Sequence, residues 1–504
     1  MSDSIWTGFL TVLKVLYSIC IISLSFYGFN SLVLTTLYLL SNRRRKRRTK
    51  LDQNDPWPEI TIQLPIYNES YIVDRLLNAM VEQDYPKECL QIQVLDDSTD
   101  DTTEKVSRLV DEYQAEGINI QLIHRTDRIG YKAGALANGM SQASGEYLAI
   151  FDADFVPPRQ WLRRVMTEFT DPEVGCMQTR WGHLNSNYNL LTRAETLMLD
   201  GHFIVEQGAR YGSNLFMGFN GSGGIWRKKC IEDAGGWQSD TLTEDLDLSY
   251  RAQLKGWRIK YLSEVVVPGE LPAQIEAFKS QQFRWAKGSI QTFRKLSKTV
   301  ITADLPLRVR LAALMHLSMY APFPFAIMIL LLTLPIALYA SSFIRYFPFS
   351  ILASLGPPLM YAVSRTNHLP RIRDRLMLLP LISILGIGIS LNTGAAVVAG
   401  LFTKGGVFNR TPKFNLRGRK DTWVKEKYLL PNNPVVYGEL LMGFYALYSV
   451  YILWSTATGR GVAMGVILYA IGFLFVAGMS FVQSWQQYRR LRTSSSEGNT
   501  AVTG

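Results

Sequence analysis

The stretch YLAIFDADF, residues 147–155, decides how the central part of this chain folds. A short apolar run ends in two carboxylates at alternating positions, Asp152 and Asp154. Three earlier apolar runs also end in polar residues: ITIQLPIYNE at 60–69, LQIQVLDDSTDD at 90–101 and INIQLIHR at 118–125. Helical stretches separate the four runs, and strands that alternate with helices predict a largely parallel α/β sheet.

The polar residues predict one site at the edge of that sheet. In parallel α/β sheets, ligands bind outside the carboxyl ends of the strands. The polar residues at these four ends are Asn68, Asp96, Asp97, Arg125, Asp152 and Asp154. Asp and Asn are also common in turns, which explains any one position but explains all of them together poorly.

Uncharged segments predict membrane helices on both sides of this α/β region. Residues 15–40 carry no charge, and at 1.5 Å per residue they are long enough to cross a ~30 Å hydrocarbon core. The alternative, a cleaved signal peptide, has a shorter apolar core of about 7–15 residues. Further candidate spans are 316–340, 347–364, 377–401, 436–456 and 461–485.

Basic clusters predict the orientation of these segments. RRRKRR at 43–48 favours a cytosolic position for the residues that follow. The basic loop at 404–427 and the stretch Arg489–Arg492 are also expected in the cytosol, which requires one segment not to cross; the short 347–364 segment is the expected one. Because the net charge of +11 is concentrated beside membrane segments, it indicates contact with anionic lipid rather than with nucleic acid.

The predicted organisation has four parts. Residues 1–42 form an N-terminal transmembrane helix, and 43–300 form a cytosolic α/β domain. Residues 301–486 form an interfacial helix and transmembrane helices with a cytosolic loop at 402–430, and 487–504 form a disordered tail. The four cysteines form no CxxC pair, so neither a zinc site nor a disulfide framework is predicted.

Two acidic motifs suggest chemistry. Asp152 and Asp154 suit a hard divalent cation that keeps water and phosphate oxygens as its other ligands. Thr243-Glu244-Asp245 opens a helical stretch, where a carboxylate could act as general base. The alternative for the second motif is ordinary helix capping by Thr243, with acids favoured by the helix dipole.

Cationic and aromatic residues could complete the site. Lys132 can bind a phosphate or a base carbonyl, or it can be a solvated lysine. In the stretch SQQFRWAKGS (280–289), Arg284 suits phosphate oxygens, Trp285 offers a flat face to a sugar ring, and Gln281 lies on a similar helix face. The alternative is an interfacial helix in which Trp and Arg anchor to lipid.

Taken in order, these motifs resemble the processive family 2 glycosyltransferases, which include cellulose, chitin and hyaluronan synthases. The motif sequences are most similar to those of the plant cellulose-synthase-like A and C proteins, which make mannan, glucomannan and glucan backbones. The stretches that carry the resemblance are QVLDDSTD (93–100), GYKAGAL (130–136), IFDADF (150–155), HFIVEQ (202–207), FNGSGGIWR (219–227), EDLDLSYRAQLKGW (244–257) and ELP (270–272). The resemblance covers roughly residues 58–295.

The resemblance implies a GT-A fold and a role for each motif. The expected donor-binding residues are Asp96, Asp97, Lys132, Asp152, Gln281 and Arg284, with Mg²⁺ or Mn²⁺ held by Asp154 and Asp152. The expected general base is Asp245, beside Glu244. The expected acceptor-binding residues are Trp285, Asn220, Gly221 and Ser222. Phe408, Thr411 and Lys413 resemble a cytosolic gating-loop motif, with the departure that Pro412 stands between Thr and Lys.

The expected protein is therefore a membrane-embedded inverting β-glycosyltransferase. It would polymerise hexose from UDP-glucose or GDP-mannose into a glucan, mannan or glucomannan, and it would sit in the plasma membrane of a bacterium or the Golgi of a plant. One alternative is a glycolipid synthase that adds a single sugar to a lipid acceptor. Another is a catalytically silent membrane scaffold.

Overall fold

A computed structural model describes residues 3–41, 57–340, 343, 355–366, 368–418, 421–422, 427–455 and 459–500, with side chains as far as residue 489. The basic cluster at 43–48 lies outside the described residues. The chain begins with helix α1 (Asp3–Ser41), and a seven-stranded sheet then forms the centre of the α/β domain.

The strands are β1 (Ile60–Ile66), β2 (Leu90–Asp96), β3 (Ile120–His124), β4 (Tyr147–Ile150), β5 (Val174–His183), β6 (Gly224–Arg227) and β7 (Arg258–Gly269). Their order in the sheet is β3-β2-β1-β4-β6-β5-β7. The four strands predicted from the sequence pair in parallel, and β6 runs antiparallel to both of its neighbours. The largely parallel α/β sheet is thus confirmed, with an antiparallel strand in its middle.

Helices cover both faces of the sheet, so the polar side chains of β1, Thr61 and Gln63, are buried and form hydrogen bonds with Gln91 and Gln93 of β2. The helices of this region are α2 (Val73–Val81), α3 (Thr102–Ala115), α4 (Tyr131–Ser141), α5 (Trp161–Met166), α6 (Leu190–Asp200), α7 (Gln207–Gly212), α8 (Lys228–Asp233) and α9 (Glu244–Leu254). Apolar residues of α2, α3 and α5 bury one face, and those of α4, α8 and α9 bury the other. A π-helical turn, Gly201–Glu206, joins α6 to α7.

The register of the parallel strands brings their carboxyl ends together. Ile66 of β1 lies opposite Asp96 of β2, and Asp96 lies opposite His124 of β3. The polar residues that follow these strands therefore share one edge of the sheet, as predicted.

Helix α10 (Ile275–Thr302) leads from the domain to the remaining helices: α11 (Leu307–Leu317), α12 (Pro322–Tyr339), α13 (Gly356–Val363), α14 (Ile372–Gly388), α15 (Ser390–Phe402), α16 (Val435–Trp454) and α17 (Gly459–Thr500). In the described parts of the chain, four helices are long and apolar enough to cross a membrane: α1, α12, α16 and α17. The pair α14 and α15, bent by 50°, forms a fifth if it is one span.

Two predicted segments can be compared with the described residues, and the first agrees with the expectation that the 347–364 segment does not cross. The described part of the 347–364 segment is the eight-residue helix α13, which at 1.5 Å per residue is too short to cross a bilayer. The tail predicted to be disordered from residue 487 instead continues α17 as far as Thr500. Gln, Arg and Leu at 486–492 are good helix formers, and the helix extends from an already formed span.

A buried polar cluster ties α10 to α16 and α17. The Lys279 ammonium lies 2.7 Å from Glu276, 3.2 Å from Glu439 on α16 and 3.1 Å from the Ser480 hydroxyl on α17. Ser480 also donates to Glu276 at 2.7 Å. Because each charge has a partner of opposite sign or a hydroxyl, the cluster is tolerated in the interior.

Candidate active site

A cleft at the carboxyl ends of the strands gathers most of the predicted site residues. Those that line it are Asp97, Lys132, Asp152, Asp154, Asn220, Gly221, Glu244, Asp245, Gln281, Arg284, Trp285, Phe408, Thr411 and Lys413. Asp96 and Ser222 lie behind its wall. The residues predicted for donor, metal, general-base, acceptor and loop roles therefore meet largely at one site, although they are spread over more than half of the chain.

The two residues behind the wall support the loops that form it. Asp96 is fully buried and accepts hydrogen bonds from the Ser98 amide at 3.0 Å and the Thr103 hydroxyl at 2.6 Å, with His124 at 2.9 Å. Ser222 accepts from the Asp152 amide at 3.0 Å. In this arrangement both residues shape the site, and neither faces the cleft.

Asp97 lies beside Asp96 and faces the cleft. Arg125 binds both of its carboxylate oxygens, at 2.8 and 2.5 Å, and also donates to the Tyr131 carbonyl at 3.0 Å. The pair joins the end of β2 to the start of α4, the helix that carries Lys132. A charge-assisted, two-pronged contact of this kind fixes geometry well.

Lys132 is held as a cation among carboxylates. Its ammonium donates to Asp152 at 2.5 Å and to the Gly221 carbonyl at 2.9 Å, and it lies 3.9 Å from Glu244. Burial alone would favour the neutral amine, but Asp152 and Glu244 raise the pKa of Lys132. The solvated-lysine alternative is wrong, since this side chain is largely buried and paired.

Asp154 contacts a cation from a distant part of the chain. Its Oδ2 atom accepts from the Glu270 amide at 3.1 Å and from the Lys413 ammonium at 2.9 Å. Lys413 also donates to the Glu270 carbonyl. The position next to Asp154 therefore suits positive charge.

The cleft could hold a divalent cation if Asp152 and Asp154 share it with a donor diphosphate and water, as the sequence predicts. Within the described residues, no group of three or more His, Cys, Asp or Glu side chains could hold a metal by itself. Asp152 and Asp154 would supply two ligands, and the diphosphate of a donor and water would supply the rest, which is the usual arrangement for Mg²⁺.

The carboxyl group of Asp245 faces the cleft and has a raised pKa. Burial, and next the negative charge of Glu244, raise the pKa of Asp245 to about 7. Its Oδ2 atom lies 2.9 Å from the place that a Cβ atom on residue 221 would occupy, and Gly221 has φ +81°. Only glycine suits that position, which keeps the carboxylate open to the cleft.

The start of α9 is not an ordinary capped terminus. Thr243 stands at the cap position, but its side chain makes no capping hydrogen bond. Its hydroxyl lies 3.2 Å from the Thr292 hydroxyl of α10 instead. The capping alternative for Thr243 is therefore wrong, and the motif positions Glu244 and Asp245 against the cleft.

The segment on α10 faces the cleft and the loop that covers it. Arg284 donates to the Asn409 carbonyl at 2.8 Å, and its guanidinium lies 4.3 Å from the Phe408 ring centroid. Burial lowers the pKa of Arg284, although neighbouring carboxylates oppose that shift. Gln281 and Trp285 line the same cleft, so the structure favours the site interpretation over simple lipid anchoring.

The basic loop after α15 lies over the cleft mouth. Phe408 stacks 6.4 Å from Tyr131, and the Phe408 carbonyl accepts from Arg128 at 3.4 Å. Arg128 in turn stacks on Tyr67 at 3.3 Å. Because this loop touches the catalytic cleft, the two must lie on the same side of any membrane, which requires an even number of crossings between them.

Sequence reasoning missed several residues of the cleft. Burial raises the pKa of Glu69 to about 7, with Arg410 of the loop 3.8 Å away. Glu270 binds Arg75 at 3.0 Å and accepts from the Phe414 amide at 2.8 Å. Glu69 follows the predicted strand β1, so the strand-end rule that found Asp152 could also have found it, whereas Glu270 follows β7 and stood in the ELP stretch without an assigned role.

The fold and cleft define an α/β domain of the GT-A class, joined to helices of membrane-spanning length. Residues 58–288 match the family described as "Glycosyltransferase like family 2". This matched segment is the part of the chain that carries the glycosyltransferase-like motifs identified in the sequence.

Two curated relatives show which glycosyltransferases the chain is similar to. The chain is 41% identical over 252 residues to a probable glucomannan 4-beta-mannosyltransferase 7 of Oryza sativa subsp. japonica, covering 49% of this chain and 43% of that protein. It is 40% identical over 250 residues to glucomannan 4-beta-mannosyltransferase 2 of Arabidopsis thaliana, covering 49% and 47%. The chain thus spans about half the length of the curated relatives it matches.

A solved structure shares the fold. A mannosyltransferase from Pyrobaculum calidifontis, in complex with GDP-Man and Mn²⁺, superimposes with a TM-score of 0.52 at 21% identity. The match covers 77% of this chain and 99% of that one. It therefore extends beyond the α/β domain.

Proposed function

We propose that this protein is a membrane-embedded, inverting β-hexosyltransferase that transfers mannose from GDP-mannose to a growing β-mannan or glucomannan. Glucose from UDP-glucose is the second donor to test. The observation that carries the proposal is the meeting of Asp245, Lys132, Asp152, Asp154 and Arg284 in one cleft. The names of the plant relatives, at 40–41% identity, support the choice of sugar.

In the proposed reaction, the acceptor hydroxyl attacks the anomeric carbon from the side opposite the nucleotide. Asp245 takes the proton of that hydroxyl, and its pKa near 7 suits this task at neutral pH. Lys132 and Arg284 offset the charge that develops on the leaving diphosphate. A divalent cation bound at Asp154 and Asp152 would add to that neutralisation.

The position of the loop supports a cytosolic site. Between α10 and the loop, α12 and the bent pair α14–α15 give two crossings, an even number, if α13 does not cross. The loop and the domain would then share the cytosolic face with nucleotide sugar. The growing chain would leave through the membrane helices, and Golgi of a plant or plasma membrane of a bacterium would be its location.

A donor and product assay tests the proposal. Purified protein in lipid nanodiscs is given GDP-mannose or UDP-glucose with Mn²⁺ or Mg²⁺, and release of nucleoside diphosphate is measured, with Asp245→Asn as the inactive control. We expect a product that β-mannanase degrades, and we expect a metal chelator to abolish its formation. A sugar recovered only in the lipid extract would instead identify a glycolipid synthase. Absence of diphosphate release from every donor would favour a silent scaffold.

A further inference from the structure

A chain of hydrogen bonds runs behind the cleft along the π-helical turn between α6 and α7. His202 Nδ1 lies 3.0 Å from Glu206 Oε2, and Glu206 Oε1 accepts from Arg210 Nε at 3.0 Å. Burial opposes ionisation of Glu206, but Arg210 and His202 hold its pKa well below the usual range. The outer end of the chain is thus a fixed carboxylate. Turns of this type are rare and often lie at functional sites.

The other end of the chain fixes the side-chain amide of Asn220. Gln207 Nε2 donates to the Gly218 carbonyl at 2.9 Å and to Asn220 Oδ1 at 2.7 Å. A flipped Asn220 would set its NH₂ group against that of Gln207, and two donors repel. Asn220 Nδ2 therefore faces His202 Nε2, 2.9 Å away, and donates to it.

This direction determines the protonation of His202. Because Nε2 accepts from Asn220, the ring carries its proton on Nδ1 and donates it to Glu206. Asn220 Nδ2 keeps a second N–H, and Asn220 lines the cleft. The next residue, Gly221, accepts from Lys132 and lies against Asp245.

We infer that His202 is a positioning residue that holds the Asn220 amide so that one N–H donates to a hydroxyl oxygen of the acceptor sugar. The inference rests on the proposed function, since it needs a sugar acceptor in this cleft. The inference gives a role to the HFIVEQ stretch, which had none among the motifs. A His202 ring with a proton on Nε2 would place an N–H group against the NH₂ group of Asn220. Two donors repel each other, so this arrangement would release the Asn220 amide.

Two substitutions at His202 separate this role from a purely structural one. His202→Gln keeps an acceptor oxygen that can face Asn220, whereas His202→Lys places a donor there. With GDP-mannose as donor and a β-mannan oligosaccharide as acceptor, we expect His202→Gln to keep nearly the wild-type acceptor KM. Loss of the oriented hydrogen bond in His202→Lys should raise that KM about tenfold, with GDP affinity retained as evidence of folding. Equal acceptor KM values in the two variants would overturn the inference.

A measurement on the wild-type protein needs no active variant. The chain has five histidines, so ¹⁵N-histidine NMR can resolve them, and the resonance lost in His202→Gln identifies His202. We expect the neutral ring with its proton on Nδ1, and a proton on Nε2 would overturn the inference. If wild-type protein transfers no sugar, the proposed function fails, but the NMR result still decides the hydrogen-bond direction.

Discussion

Replacing Lys413 with glutamine should tighten divalent cation binding in the presence of GDP, whose diphosphate would supply further ligands. The Lys413 ammonium lies 2.9 Å from Asp154 Oδ2, and the two side chains are only 8% and 14% exposed. A cation that binds Asp154 through Oδ2 must therefore displace this ammonium. A hydrogen bond to a charged group is worth about 1.5–3 kcal/mol, and 1.4 kcal/mol is a factor of ten. Lys413→Gln should accordingly lower the Kd for Mn²⁺ by about ten- to a hundredfold.

Titration of free Mn²⁺ by electron paramagnetic resonance measures this Kd directly, without any turnover. Lys404→Gln is the matched control, because it removes the same charge from an exposed position of the same loop. We expect the control to bind Mn²⁺ as wild type does, and Asp154→Asn to lose the site in either background. An unchanged Kd in Lys413→Gln would refute the idea that the lysine and the metal share Asp154.

Three further predictions concern catalysis and topology. Asp245→Asn should lower kcat by about 10²- to 10⁴-fold with GDP affinity retained, and normal turnover of this variant would contradict the assignment. Wild-type transfer should fall as the pH drops below about 7, where Asp245 becomes protonated. Arg284→Lys keeps the charge but not the planar fork, so we expect weaker donor binding, whereas Trp285→Ala should stop elongation and spare donor affinity; normal elongation by both would restore the lipid-anchor interpretation. A cysteine introduced at Gly418, an exposed loop position, should react with an impermeant thiol reagent only from the side that holds the α/β domain, and labelling from the opposite side would contradict the even number of crossings.

The sequence predicted best what depends on local pattern. The runs of β1 and β2 were recognisable because apolar residues recur at every second position, and YLAI of β4 is apolar throughout. Strands β5 and β7 were not predicted: each mixes charged and apolar residues, as in VGCMQTRWGH and RIKYLSEVVVPG. The antiparallel strand β6 has only four residues, too few for a clear period.

Long-range contacts could not be predicted from the same patterns. Lys413 and Asp154 are 259 residues apart, and Arg284 and Asn409 are 125 residues apart. No local propensity encodes which carboxylate a loop lysine will meet. The motifs indicated that a loop resembling a gate exists, but its contact with the predicted metal ligand depends on how the helices between them pack.

The polar cluster around Lys279 has a mechanical consequence. Removing one partner from a buried ion pair costs about 3–5 kcal/mol. We therefore expect α10, α16 and α17 to move as one unit. Arg284 and Trp285 lie on α10, five and six residues beyond Lys279, so the cluster holds their part of the helix against the two apolar helices. If a polymer advances past them, we expect the backbone that carries these two side chains to keep its place relative to α16 and α17.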